Sequence, residues 1–114
     1  MEIKLTTTGR RSGTPREVRL FAFEDGDRLV IVGSRGGSAI DPAWAGNLRA
    51  EPRAIVGRGR DTHDVRAHEV HGPERARLWD LVSTAFPLYE TYRKRTRRAI
   101  PLFVLEPVET TASD

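Results

Sequence analysis

Three extended runs separated by two compact turns fill residues 1–32, and no other pattern in the chain restricts its fold as strongly. Ile3 to Thr8 is rich in β-branched residues and alternates, as a strand does. Gly9-Arg10-Arg11-Ser12-Gly13-Thr14 then breaks the run; the glycines permit left-handed backbone, and Pro15 forces the next segment out extended. From Glu17 to Phe23, Val18, Leu20 and Ala22 fall on one face and Arg19, Phe21 and Phe23 on the other. Glu24-Asp25-Gly26-Asp27 is a turn signal, and Leu29-Val30-Ile31-Val32 after it is continuously apolar, the pattern of a strand covered on both faces. The three runs read as an antiparallel meander.

Regularity lapses at Gly33-Ser34-Arg35-Gly36-Gly37-Ser38. Asp41-Pro42 predicts a short helix with Asp41 as N-cap, Trp44 and Leu48 on its inner face, and an end at Glu51-Pro52. Arg53–Val56 and Thr62–Val70 read as two strands around the polar turn Gly57–Asp61. Gly72-Pro73-Glu74 opens a second helix with a stripe of Leu78, Leu81, Val82, Ala85 and Phe86. Pro87 interrupts; Leu88–Arg98 reads as a third helix carrying Tyr89 and Tyr92, and Leu102–Leu105 as a last buried strand. Residues 1–108 are expected to form one domain, with Glu109–Asp114 a disordered polar tail. The class is α+β, mainly β: a small barrel with short helices inserted between strands.

A 114-residue chain has room for one core, so a bulky cofactor belongs in a surface groove or between two copies, and a homodimer is among the expected arrangements. No apolar run is long enough to span a bilayer and the N-terminus lacks a signal-peptide core, so no membrane insertion is expected. Without cysteine there is no disulfide framework or thiolate nucleophile, which fits a cytoplasmic location. His63 and His68 differ in strand parity, no fixed carboxylate partner is evident for the histidines, and no metal site is expected. The run Arg93-Lys94-Arg95-Thr96-Arg97-Arg98 reads as a solvated helix end whose cations complement the helix dipole, not as a nucleic-acid surface.

The net charge of +3 favours an anionic ligand, and two loops concentrate the means to bind one. Arg10, Arg11, Ser12 and Arg16 offer guanidinium and hydroxyl donors suited to phosphate or carboxylate, although such a turn read alone is an exposed basic hairpin. Gly33, Ser34 and Arg35 follow a buried strand, where glycine lets backbone N–H groups approach a ligand; the spacing fits neither a dinucleotide fingerprint nor a P-loop. Trp44 is a core anchor or a stacking platform, and Asn47 ties a loop or reads a heterocycle's polar edge. Tyr89 and Tyr92 pack on the sheet or donate to a developing anion. No protein-borne nucleophile is evident, so any chemistry points to a cofactor.

Taken in order, LTTTGRRSGTPR, DGDRLVIVGSRGG, DPAWAGNLRAEP and FPLYETYRKRTRRAIPLFVLEP, the chain resembles the deazaflavin-dependent nitroreductase family over about Ile3 to Pro107. The resemblance implies a split β-barrel of the FMN-binding type and the deazaflavin coenzyme F-420 as hydride carrier, with a small electron-poor organic acceptor. FMN in the same fold, or a non-catalytic coenzyme carrier, are the alternatives. It further implies that Arg10, Arg11, Ser12 and Arg16 hold the coenzyme's phosphate and acidic tail. Phe21, Val32, Gly33, Ser34, Arg35, Ala43, Trp44, Asn47 and Tyr89 then belong to the cofactor groove, with Ser34 and Tyr89 as the catalytic candidates that polarise the acceptor. Ala45-Gly46 and Phe86 depart from the bulkier residues and the tyrosine usual there. Few residues precede the first strand, whereas nitroreductase-type members have a longer segment closing the substrate pocket. An acceptor side that is open, or completed by another chain, is therefore expected rather than nitro reduction.

Overall fold

The computed structural model describes residues 1–108, so the expected tail Glu109–Asp114 lies outside the described residues. The strands are β1 (Glu2–Thr8), β2 (Pro15–Asp25), β3 (Arg28–Val32), β4 (Arg53–Arg58), β5 (Asp61–Glu69) and β6 (Leu102–Pro107). A single 3-10 turn (Arg35–Gly37) and helix α1 (Ala43–Ala50) lie between β3 and β4; α2 (Gly72–Ala85) and α3 (Leu88–Arg95) lie between β5 and β6. The strands pair antiparallel and close in the order β1-β2-β3-β6-β5-β4. This is the small barrel with inserted helices read from periodicity, in the split form that the family resemblance implied.

The two continuous apolar runs explain themselves here. Ile31, Phe103 and Leu105 point into the barrel, where α1 closes one end with Trp44, Ala45 and Leu48. Val30, Leu102 and Val104 point outward and are covered by Leu78, Trp79 and Val82 of α2 and Tyr89 of α3. Strands with apolar residues at every position therefore sit between two buried layers. By contrast β1 alternates, with Ile3 and Leu5 inside and Glu2 and Lys4 in solvent.

The split lies along β2. Its first seven residues, Pro15 to Phe21, pair with β1, while β3 pairs only with Ala22 to Asp25. Ala22 and Met1 exchange both backbone hydrogen bonds, so even-numbered residues of β2 bond toward β1. The N–H and C=O groups of Glu17, Arg19 and Phe21 consequently face the opposite edge, beyond the reach of β3.

Three local expectations need correction. Helix α1 starts at Ala43 with Pro42 in the N-cap position, and Asp41 caps nothing; its carboxylate accepts from Arg98 Nη1 (2.7 Å) and Arg49 Nη1 (3.0 Å) instead. The buried stripe of α2 is Leu78, Trp79 and Val82, whereas Ala85 and Phe86 are exposed because the helix ends there, Phe86 N donating to Val82 O (2.8 Å). Helix α3 ends at Arg95, and Thr96 is already extended. Among the described residues no helix is long and apolar enough to cross a membrane.

Candidate functional site

Along the open edge of β2 runs a cleft of about 790 Å³. The turn after β1 supplies Arg10, Arg11 and Ser12; β2 supplies Arg16 to Leu20; the end of β3 supplies Val32; and the stretch from Arg35 to Asn47 supplies Arg35, Ile40, Ala43, Trp44 and Asn47. Five arginines line it (Arg10, Arg11, Arg16, Arg19 and Arg35) against two acids, Glu17 and Asp41. Both acids already have cationic partners, Glu17 in Lys4 (3.2 Å) and Asp41 in Arg49 and Arg98. Arg19 is itself paired with Glu2 (3.9 Å), so the wall's uncompensated positive charge rests on the other four arginines, beside an apolar strip of Val18, Leu20, Val32, Ile40 and Trp44.

The basic turn is held from within. Gly13 adopts φ +71, and Gly13 N donates to Gly9 O (2.8 Å). Gly9 has a different reason to be glycine: a Cβ there would come within 2.5 Å of Ser12 Oγ. Ser12 Oγ accepts from Thr14 N (3.2 Å) and Arg16 Nη2 (3.4 Å) and shares a hydrogen bond with Thr14 Oγ1 (2.8 Å). Ser12 therefore orders the turn and steers Arg16.

Arg10 and Arg11 part company. Arg10 Nη1 donates to Ala43 O (3.0 Å) and Asn47 Oδ1 (2.9 Å), and Arg10 N donates to the same Oδ1 (3.1 Å). Asn47, 5% exposed, completes the link through Nδ2, which donates to buried Thr7 Oγ1 (3.1 Å). The guanidinium lies across Gly46, where a Cβ would approach it to 2.9 Å. Arg10 is thus docked on α1, while the Arg11 and Arg35 side chains are exposed on the cleft wall.

Of the residues singled out from the sequence, Arg10, Arg11, Ser12, Arg16, Val32, Arg35, Ala43, Trp44 and Asn47 come together in this cleft. Phe21, Gly33, Ser34 and Tyr89 do not line it. Phe21 is 62% exposed on the outward parity of β2. Gly33 and Ser34 are buried behind the wall, where a Cβ on Gly33 would meet Pro101 at 2.7 Å. Tyr89, expected beside a reacting ring, packs edge-on against Phe86, Phe23 and Tyr92 with ring centroids 4.8, 5.9 and 6.2 Å away. Burial, with Tyr92 adding to it, pushes its phenol up to about 12. Trp44 is mainly a core anchor, its ring T-shaped on Phe103 at 5.7 Å and 8% of the residue exposed.

Sequence reasoning missed Thr7, Val18, Arg19, Leu20 and Ile40 as wall residues, and Arg98 behind it. Strand parity identifies Val18 and Leu20 as facing inward, but only the shortness of β3 uncovers them. Arg98 was hidden among neighbours of the same charge. Histidine 68, His68, stands 3.9 Å from both Glu74 and Glu106, and among the described residues no group of three or more His, Asp or Glu is arranged to hold a metal ion.

Comparison with known proteins adds a consistent picture. The family model described as F420H(2)-dependent quinone reductase matches residues 2–107. The F420H(2)-dependent quinone reductase Rv1261c of Mycobacterium tuberculosis is 39% identical over 104 residues, covering 89% of this chain and 70% of the relative. A solved F420-H2 dependent reductase (FDR-A) superposes with a TM-score of 0.83 at 37% identity, covering 92% of this chain and 93% of that one. A domain-swapped dimer matches with a TM-score of 0.84 at 37% identity, covering 92% and 79%.

Proposed function

The chain belongs to the F420H(2)-dependent quinone reductase family, and from that premise we propose that it reduces quinone-class acceptors in the cleft beside β2. It is an oxidoreductase that depends on the reduced deazaflavin coenzyme. The observation that carries the placement is the charge of the cleft: five arginines, with both acids of the wall already paired.

The residues present suit the coenzyme. A phosphate and an oligoglutamate tail call for several guanidinium groups without nearby free carboxylates, which Arg11, Arg16 and Arg35 provide. A flat heterocycle calls for an apolar wall, which Val18, Leu20, Val32 and Trp44 provide. When bound, the coenzyme supplies a hydride, and the acceptor takes a proton from solvent to complete its reduction. The protein's part is to hold ring and acceptor together, exclude water from the apolar strip, and neutralise the anionic tail. Arg10 acts at one remove, fixing the turn to α1 so that Arg11 and Arg16 face the cleft.

The test is anaerobic mixing of the purified chain with reduced F-420 and a water-soluble quinone, following the return of the oxidised coenzyme's absorption. Oxidation well above the protein-free rate is expected. No acceleration with any member of a benzoquinone and naphthoquinone panel would rule the reading out. A protein that purifies yellow with bound FMN would instead transfer the site to that flavin.

A further inference from the structure

We infer that Arg98 is the positioning residue that shapes the coenzyme-facing wall of the cleft, acting through the loop Gly33–Asp41; the link to coenzyme rests on the reading above. In the run Arg93–Arg98, Arg93, Lys94, Arg95 and Arg97 are exposed, but the Arg98 side chain is only 14% exposed. It lies just past the end of α3 and turns back under the loop.

Four of the five N–H donors of its guanidinium are engaged. Nε donates to Ser38 O (2.8 Å), Nη1 to Asp41 Oδ1 (2.7 Å), and Nη2 to Ser34 O (2.9 Å) and Gly33 O (3.1 Å). One planar fork thereby gathers both ends of a loop that contains little regular structure. The loop's own backbone bonds are Gly37 N to Ser34 O (2.9 Å) and Ser38 N to Arg35 O (3.1 Å). With a single Nη1 N–H left over, the Arg98 guanidinium cannot offer the bidentate fork used in phosphate recognition.

The consequence reaches the cleft through the peptide planes. A trans peptide places its C=O and N–H on opposite sides, so drawing the Gly33 and Ser34 carbonyls toward Arg98 turns the N–H groups of Ser34 and Arg35 away from it. Arg35 is held at φ +46, a left-handed conformation unfavourable for a residue with a side chain, and is followed by Gly36 at +64 and Gly37 at +82. Gly37 abuts α3, where a Cβ would lie 3.0 Å from Arg95 Cβ and 3.1 Å from Tyr92 O. From this clamped loop Arg35, Ile40 and Asp41 project onto the cleft wall. Lysine would keep the charge but could not span four acceptors with one ammonium.

The experiment compares Arg98→Met and Arg98→Lys with Arg97→Met, which removes an exposed neighbour of equal charge. Tryptic cleavage after Arg35, quantified by mass spectrometry without coenzyme, is expected to accelerate at least about tenfold in both Arg98 variants, since protease reads local opening. The dissociation constant for oxidised F-420, by fluorescence titration, is expected to rise about tenfold, with kcat at saturating coenzyme within about twofold of the parent. Cleavage and affinity in Arg98→Met equal to those of Arg97→Met would overturn the inference. Should Arg98→Met fail to fold, Arg98→Lys and Asp41→Asn carry the same comparison. A parent protein that binds no F-420 would defeat the proposed function alone, because cleavage at Arg35 would still decide whether Arg98 clamps the loop.

Discussion

Asn47 illustrates how much one side chain decides at the residue scale. Its amide serves Thr7 of β1 with one end and Arg10 with the other, so a single buried group joins strand, turn and helix. Asn47→Ala leaves Thr7 Oγ1 and Arg10 N without that partner, and is expected to lower the free energy of unfolding by about 1–3 kcal/mol in a urea titration. Arg10 and Arg11 are indistinguishable in the sequence, where both read as phosphate ligands. Only the approach of α1, permitted by glycine at position 46, separates a docked arginine from an exposed one. The same limit hid Arg98: six successive residues with five cations carry no signal of which one turns inward.

At the scale of elements, legibility followed periodicity. The meander and the doubly covered strands β3 and β6 were readable because β-branched alternation and continuous apolar runs have direct physical causes in one- and two-sided burial. Helix ends were less readable. Asp41 has the composition of an N-cap, yet two arginines take its carboxylate, since each guanidinium adds a full opposite charge to the hydrogen bond that a neutral backbone N–H lacks. Nor could the sequence show that β3 stops short of pairing with Pro15–Phe21, the mismatch that opens the cleft. Helix α1 offers a test of how the elements meet. Gly46→Ala gains helix propensity of about 1 kcal/mol but pushes on the Arg10 guanidinium, so thermal stability is expected to stay within about 1 kcal/mol of the parent. Coenzyme affinity in the same variant is expected to fall several-fold as the turn loses its dock. A fluorescence titration beside a melting curve separates the two effects.

Across the whole molecule, the barrel and its helical cover are joined by a charged network remote from the cleft. Asp25 at the β2–β3 turn accepts from Arg77 of α2 (3.0 Å) and from Arg28 (2.7 Å), and Arg28 also reaches Glu74 and Glu106. Arg77 first and Arg28 second hold the Asp25 carboxyl down at about 2, below its ordinary 3.8. A lowered carboxyl stabilises the fold fully above its unfolded pKa and loses that contribution as the folded group protonates. Stability is therefore expected to decline as pH falls from about 4 to about 2, and Asp25→Asn should flatten that part of the profile without altering coenzyme affinity. Urea midpoints at stepped pH would record it.

Under the proposed function, the arginines on the β2 side of the cleft receive the anionic end of the coenzyme. Fluorescence titration of oxidised F-420 against the parent and the folded double variant Arg11→Ala, Arg16→Ala measures it most directly. Loss of two charge-assisted contacts should weaken binding by about 2–4 kcal/mol, roughly thirty- to a thousandfold, with the unfolding midpoint little changed. A double variant that folds normally and binds F-420 with the parent's dissociation constant would contradict the account.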